Sequence, residues 1–407
     1  MSRRRWVLLL TLMSACNAEL RLDPSFSCSG STRPVMPVPD AGLADPCQRA
    51  DCAPFTIAAG AQHSCASLWQ GEVGSTVCWG RNDHHQASES DEPLIIAPAP
   101  TRFGGASSLS ASVLHTCAVD PPRLGCWGTN TAGLLGWPEV GATYAEQVPW
   151  VEIGAPIAVT TGAGHTCTLD DDMAVRCHGD NSSGQLGPDL RDPYLALRGI
   201  WAEVEAPEHV GAGGRRTCAT SDGQIVCWGE ARETIEWAGE PLRGIAVGPT
   251  HACVVAEDVR CWGQNDDGQL GIGSREPRDA PDLAVSLPAR ARGVSVGGFI
   301  PVEVASPTAL EYGSPSRAHT CALLDDGAVF CWGANDRGQL GDGTTEDRPV
   351  PVRVLLEAPA RALSAGGAHT CAIAGDVVYC WGANDHAQLA RDPSSLPFSA
   401  SPVRVEL

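Results

Sequence analysis

The sequence predicts an all-β chain: seven small antiparallel sheets, one per repeat of about fifty residues, stacked around an axis. Three observations carry this. First, a cysteine opens each unit, at Cys65, Cys117, Cys167, Cys218, Cys253, Cys321 and Cys371, and a second follows at Cys78, Cys126, Cys177, Cys227, Cys261, Cys331 and Cys380. Four of the six steps between openers are 50 to 52 residues, and the exceptions are 35 (Cys218 to Cys253) and 68 (Cys253 to Cys321). Second, each unit holds four short apolar runs, as at 350–354, 362–365, 370–373 and 377–381. One such sheet cannot bury both faces alone, whereas a closed stack of seven does. Third, turn residues fall midway between the paired cysteines.

That midpoint is where a hairpin must turn if the two cysteines face each other. For Cys218 and Cys227 it is Asp222-Gly223, a preferred type I′ pair. For Cys371 and Cys380 it is Gly375-Asp376, with glycine first as type II′ requires. Cys321 and Cys331 enclose Asp325-Asp326-Gly327, a three-residue loop ending in glycine. Cys65 and Cys78 centre on Gly71-Glu72, and Cys117 and Cys126 on Pro121-Pro122, which suggests a four-residue loop. The centres at Asp172 and Glu257 carry no glycine. Opposed side chains in a non-hydrogen-bonded pair are close enough for a disulfide. Zinc is the rival, but zinc pairs usually sit two to four residues apart. Disulfides are therefore expected in all seven pairs.

Residues 1–15 combine a basic start, a short apolar run and small residues, as a secretory signal does. Met-Ser-Ala before Cys16 resembles a bacterial lipobox, with Met13 where leucine is usual, so Cys16 is expected to be cleaved and lipidated. An ordinary signal peptide with another cleavage point is the alternative. Residues 16–54, rich in Pro, Ser, Asp and Ala, read as a flexible tether. Within it Cys47 and Cys52 are expected to bridge locally, leaving Cys28 free or intermolecular. Without the signal, the net charge of −20 becomes −23, which disfavours nucleic acid and anionic lipid. All 28 basic residues are arginine, so Schiff-base and phosphate-loop lysines are excluded. Eighteen cysteines fit an oxidising compartment.

From residue 55 to 407 the units read Gly-x-x-His-Thr-Cys-Ala-Leu, then Cys-Trp-Gly-x-Asn-x-x-Gly-Gln-Leu-Gly, most clearly at 319–341, 251–271 and 165–187. This resembles the regulator of chromosome condensation repeat, which implies a seven-bladed β-propeller. Copies at 63–88 and 369–390 lose glycines of the bend, the fourth copy lacks the bend, and His178 replaces Trp in the third. Intracellular relatives generally lack the paired cysteines. The run 402–407 looks like the first strand of a unit and is expected to close the ring by joining the first blade.

His63, His115, His165, His251, His319 and His369 recur once per unit, with Arg216 in the seventh place. A metal or anion ring is the sharp reading of them, and a structural histidine bonded to neighbouring backbone is the bland one. A residue demanded by every repeat favours the second. Trp79, Trp127, Trp228, Trp262, Trp332 and Trp381 read as inter-blade packing. Departures from the repeat are better functional candidates. The insert at 298–317, with Phe299, Glu303, Glu311 and Tyr312, is expected to project from one rim, and Trp137, Trp150, Trp201 and Trp237 lie in blade connections. These eight residues are the candidate partner surface, with packing under long loops the alternative. The Asp-rich bends at 265–268 and 335–338 do not fit a calcium loop. No catalytic motif, cofactor motif or metal motif is found.

The reading that follows is a monomeric, non-catalytic lipoprotein of the bacterial cell envelope. It would touch membrane only through its lipid and use a propeller rim to bind a protein or glycan. Inhibition of an extracellular enzyme is the alternative, as a β-lactamase inhibitory protein has a similar propeller. Guanine nucleotide exchange, which the resemblance implies, sits poorly with export. A glycan hydrolase or lyase would need paired carboxylates at the channel mouth.

Overall fold

A computed structural model describes residues 53–70, 73–137, 143–144, 155–187, 199–200, 204, 206–230, 232–306 and 309–407. Cys16, Cys28, Cys47, Cys52, Trp150 and Trp201 lie outside these residues, as does the expected signal segment. The described strands form a seven-bladed β-propeller. Blade 1 runs Ala53–Ala59, His63–Gln70, Val73–Arg81 and Leu94–Gly104. Blade 2 runs Ser108–Ala111, His115–Asp120, Arg123–Thr129 and Thr143–Tyr144, and blade 3 runs Pro156–Thr161, His165–Asp170, Val175–Gly179 and Gly199–Ile200. Blade 4 is His209–Gly213, Arg216–Ser221, Gln224–Gly229 and Glu233–Glu236, and blade 5 is Gly244–Val247, His251–Val255 and Val259–Gly263. Blade 6 is Ala291–Val296, His319–Leu324, Val329–Gly333 and Arg348–Val354, and blade 7 is Ala360–Ala365, His369–Ala374, Val377–Ala383 and Phe398–Val405. The first strand of each blade faces the central channel. Among the described residues only the 3-10 turn Thr131–Gly133 is helical.

The middle hairpins follow their turn chemistry. Asp222 and Gly223 both take positive φ (33° and 81°), Gly375 does so at 57°, and Gly327 at 81°. One expectation fails here: Pro121-Pro122 forms a two-residue turn between opposed Asp120 and Arg123, not a four-residue loop. The Pro121-Pro122 peptide is cis. In every blade the two cysteines are direct partners. All seven pairs are disulfides, with Cα atoms 4.0 to 4.1 Å apart. Each closes a loop of about ten residues, which contributes about 2–3 kcal/mol in the chain-entropy model.

The phase of the repeat and the closure of the ring differ from the sequence reading. Residues 350–354 end blade 6 rather than open blade 7, since Val352 pairs with Cys331. By the same rule Phe398–Val405 pairs within blade 7, Val403 opposite Cys380. It does not join blade 1. The reason is local: a strand leaving the bend meets the edge of its own hairpin first, and in blade 1 that edge is already taken by Leu94–Gly104, Ala99 opposite Cys78. Blade 5 departs in another way. Two isolated bridges, Arg260 to Ala284 and Gly263 to Arg278, stand where a fourth strand would. Pro277, Pro281 and Pro288 in that segment cannot donate to a ladder.

Candidate functional site: the blade seams and the capped channel

The core lies between blades, and one hydrogen-bonded chain is repeated there. The Nε2 of His63, His115, His165, His251 and His319 lies 2.7–2.9 Å from the hydroxyl of Thr116, Thr166, Thr217, Thr320 and Thr370 in the next blade. His369 meets Ser64 of blade 1 at 2.8 Å and so closes the ring. The hydroxyl donates onward to a main-chain carbonyl in the preceding blade's bend: Gln86 for Thr116, Gln185 for Thr217, Gln269 for Thr320, Gln339 for Thr370 and Gln388 for Ser64. The indole of Trp127, Trp228, Trp332, Trp381 and Trp79 donates to the same oxygens at 2.8–3.0 Å. Because the hydroxyl proton is committed to the carbonyl, the imidazole must carry its proton on Nε2. The Nδ1 of His63, His165, His251, His319 and His369 then faces no partner.

Charging such a ring would bury an unpaired N–H. Burial accordingly lowers the pKa to about 3 for His63, His115, His251, His319 and His369, and to about 4 for His165 and His178. The histidines are architectural, as the bland reading held, but their partner is a hydroxyl of the next blade rather than backbone. None lines the channel. Among the described residues no group of three or more His, Cys, Asp or Glu is arranged to hold a metal. The recurrent Gly-x-x-His is explained too. A Cβ on Gly60, Gly162, Gly297 or Gly366 would sit 2.7, 2.2, 2.1 or 2.5 Å from the Cε1 of the histidine that follows.

The seam between blades 4 and 5 breaks this pattern at every point. Arg216 replaces the histidine, Ala252 replaces the threonine, and blade 4 has no bend to offer a carbonyl. Glu233 substitutes: its Oε1 accepts from Trp262 Nε1 at 2.8 Å and from Arg216 Nη1 at 3.5 Å. Elsewhere hydroxyls of the channel-facing strands tie blade to blade, as Ser364 does for the amide of Ala59, Ser110 for Thr161, Thr160 for Ala212 and Ser295 for Ala365. The facing strands at this seam, 209–213 and 244–247, contain no serine or threonine.

The channel forms a cavity of about 280 Å³, lined by small and apolar residues, backbone and a few hydroxyls, with no charged side chain. The insert does not project from the rim. It folds across one channel mouth as a hairpin of Val302–Ser306 and Ala309–Tyr312. The cause is its apolar underside. Ile300 and Val302, with Phe299, Leu310 and Tyr312, pack on Ala61 of blade 1, Val113, Leu114 and Leu134 of blade 2 and Ala163 of blade 3. Tyr312 Oη donates to Asp180 Oδ2 at 2.7 Å, and the guanidinium of Arg215 lies 5.1 Å from the centre of the Tyr312 ring. Glycines receive the hairpin: a Cβ on Gly164 would lie 2.1 Å from Tyr312 Oη, and one on Gly367 2.8 Å from Phe299. Phe299 and Tyr312 are thus half-buried, whereas Glu303 and Glu311, opposed across the hairpin, are exposed.

Trp137 and Trp237 are half-buried as well. Trp137 packs on the blade 2 core. Trp237 packs beside blade 4, donates to the Glu240 carbonyl at 2.7 Å, and lies under Arg260. The Asp-rich bends are turns, as expected. In them the Asn265 and Asn335 side chains accept from the amides of Leu270 and Leu340. Sequence reasoning missed the seam hydroxyls, Asp180, Arg215 and Glu233. A signal for the seam was present: the one unit that lacks the histidine is followed by the one unit whose opening His-Thr or His-Ser is His-Ala.

Comparison with known proteins agrees with this geometry. The chain is 27% identical over 348 residues to the ultraviolet-B receptor UVR8 of Arabidopsis thaliana, covering 78% of this chain and 74% of that protein. It is 26% identical over 385 residues to the human E3 ubiquitin-protein ligase HERC2, covering 75% of this chain but only 8% of that protein. The fold matches the crystal structure of human WBSCR16 with a TM-score of 0.66 at 21% identity, over 80% of this chain and 88% of that one. The model of the Regulator of chromosome condensation (RCC1) repeat matches residues 258–302 and 326–373, so the chain carries that repeat on a seven-bladed propeller.

Proposed function

We propose that this protein is a non-catalytic binding protein whose capped propeller face engages a protein or glycan partner. The observation that carries the reading is the channel, capped at one mouth and lined by no charged side chain. The sites where a propeller would gather catalytic carboxylates are filled by Phe299 and Ile300 and by glycine and alanine of the surrounding loops. Of the carboxylates at the cap, Asp180 is held by the Tyr312 hydroxyl, and Glu303 and Glu311 are exposed on the hairpin. Neither Glu303 nor Glu311 lines the channel cavity, where a sugar ring would be held against paired carboxylates. The face they mark is rigid, because the hairpin is clamped to blades 1, 2 and 3. The setting is an oxidising bacterial envelope, with the chain tethered through a lipid on Cys16. The signal-like N-terminus and seven buried disulfides support this.

The test is a binding comparison with the mature protein immobilised. Envelope extract and a glycan array are probed with the parent and with Glu303→Arg/Glu311→Arg, two exposed positions whose change leaves the clamp intact. Loss of one defined partner at unchanged Tm supports the reading. Equal retention of every ligand by both proteins would refute the assignment of this face. Turnover of any glycan on the array would refute the non-catalytic assignment.

A further inference from the structure

The blade 4–5 seam holds an unfinished set of hydrogen-bond donors. Arg216 keeps one carboxylate at 3.5 Å, and its Nη2 is buried without a partner. Beside it, Arg215 pairs through Nη2 with Glu230, while its Nε is also buried and unpartnered. Across the seam the hydroxyl of Thr250 is in the same condition. Gly214 packs directly on Pro249, its Cβ position 2.9 Å from Pro249 Cα, which brings Arg215 and Thr250 to the same stretch of rim. The missing bend of blade 4 removes the segment that covers this place in its neighbours. Buried donors without acceptors are costly and rare, and two guanidinium forks with spare N–H groups match the geometry of an oxyanion.

We propose that the rim between blades 4 and 5 is an oxyanion-binding site in which Arg215, Arg216 and Thr250 grip a carboxylate or phosphate. The Arg215–Glu230 pair is no obstacle. Glu230 is half exposed, and an exposed pair of this kind is worth little, so an incoming anion exchanges for it readily. Glu233 stays, because it also holds the Trp262 indole. The site lies beside the capped mouth, where Arg215 already rests on Tyr312. It stands independently of the partner reading, since a simple anion is a sufficient ligand.

The experiment is calorimetric titration of the full mature chain at fixed ionic strength with three probes: inorganic phosphate, acetate and tetraglutamate. Two variants accompany it. Arg216→His with Ala252→Thr rebuilds the seam's histidine–hydroxyl pair, with the Glu233 carboxylate as acceptor in place of the missing bend carbonyl, and Arg215→Gln removes one fork at a partly exposed position. Saturable binding is expected in the parent, about tenfold or more weaker in Arg215→Gln and absent in the rebuilt seam, whose Tm should equal or exceed the parent's. Tighter binding of tetraglutamate than of phosphate assigns the site to a carboxylate borne by a partner. The reverse order assigns it to a free oxyanion. No saturable heat with any probe, or equal affinity in parent and Arg215→Gln, overturns the proposal even if the rebuilt seam fails to fold.

Discussion

Lowering the pH should destabilise this propeller through its histidines before Asp83 and Asp342 titrate. Seven imidazoles, at positions 63, 115, 165, 178, 251, 319 and 369, are buried and held neutral, with pKa values of about 3 to 4 against 6.5 for an unhindered ring. The unfolded chain therefore binds more protons than the folded one between about pH 4 and 6.5, and stability falls as pH falls through that window. At about pH 5.5 an unfolded histidine is roughly nine-tenths protonated, which costs the folded state about 1.4 kcal/mol per ring. Seven independent rings would cost about 10 kcal/mol, similar to the whole stability of an ordinary domain. Half of that would still be a large loss. Asp83 and Asp342, whose pKa values are lowered, lose their contribution only at more acid pH, below their ordinary value of 3.8. The assay is denaturant unfolding followed by tryptophan fluorescence at half-unit pH steps and constant ionic strength. The slope of unfolding free energy against pH counts the protons taken up. A flat profile between about pH 7.5 and 5, or imidazole NMR signals of these seven residues titrating near 6.5 in the folded protein, would refute the assignment of neutral, buried rings.

Other perturbations separate the seams, the bends and the clamp. Thr370→Val keeps the shape but leaves His319 Nε2 unpaired and takes one donor from the Gln339 carbonyl, a cost of about 1–3 kcal/mol by chemical denaturation. No change in midpoint would count against the seam chain. Ala387 occupies the left-handed region (φ 59°) where the related bends place Gly268 and Gly338, so Ala387→Gly should stabilise by about 0.5–1 kcal/mol in the same measurement. A lower Tm would contradict that. Gly164→Ala drives a methyl against Tyr312 Oη and should cost about 1–3 kcal/mol, raising hydrogen exchange in the insert first. Unaltered exchange would show that the insert is not clamped there.

Much of this molecule was legible in its repeats. Hairpin register is local: a glycine or Asp-Gly between two cysteines a few residues away decides which side chains face each other, so the disulfides and most of the turns could be read directly. The Pro121-Pro122 turn was missed because two prolines carry none of the glycine or Asp-Gly signal that marks the other two-residue hairpins. The blade phase was missed because an apolar run such as 350–354 suits either neighbour, and only competition for a free sheet edge decides between them. Phe299 and Tyr312 read as exposed partner residues because an insert that breaks the repeat has no periodicity to reveal its apolar face. Glu303 and Glu311 are exposed, but on a hairpin that crosses the channel mouth instead of projecting from the rim.

The sequence alone determined the unit, its number, its hairpins and its bridges, because those depend on contacts within about a dozen residues. Tertiary structure decided what each unit meets some fifty residues away: the hydroxyl that receives each imidazole, the edge that receives each last strand, and the mouth that receives the insert. Those choices depend on burial and on which donors and acceptors remain unpaired once neighbouring blades have closed together, quantities that exist only in the assembled ring.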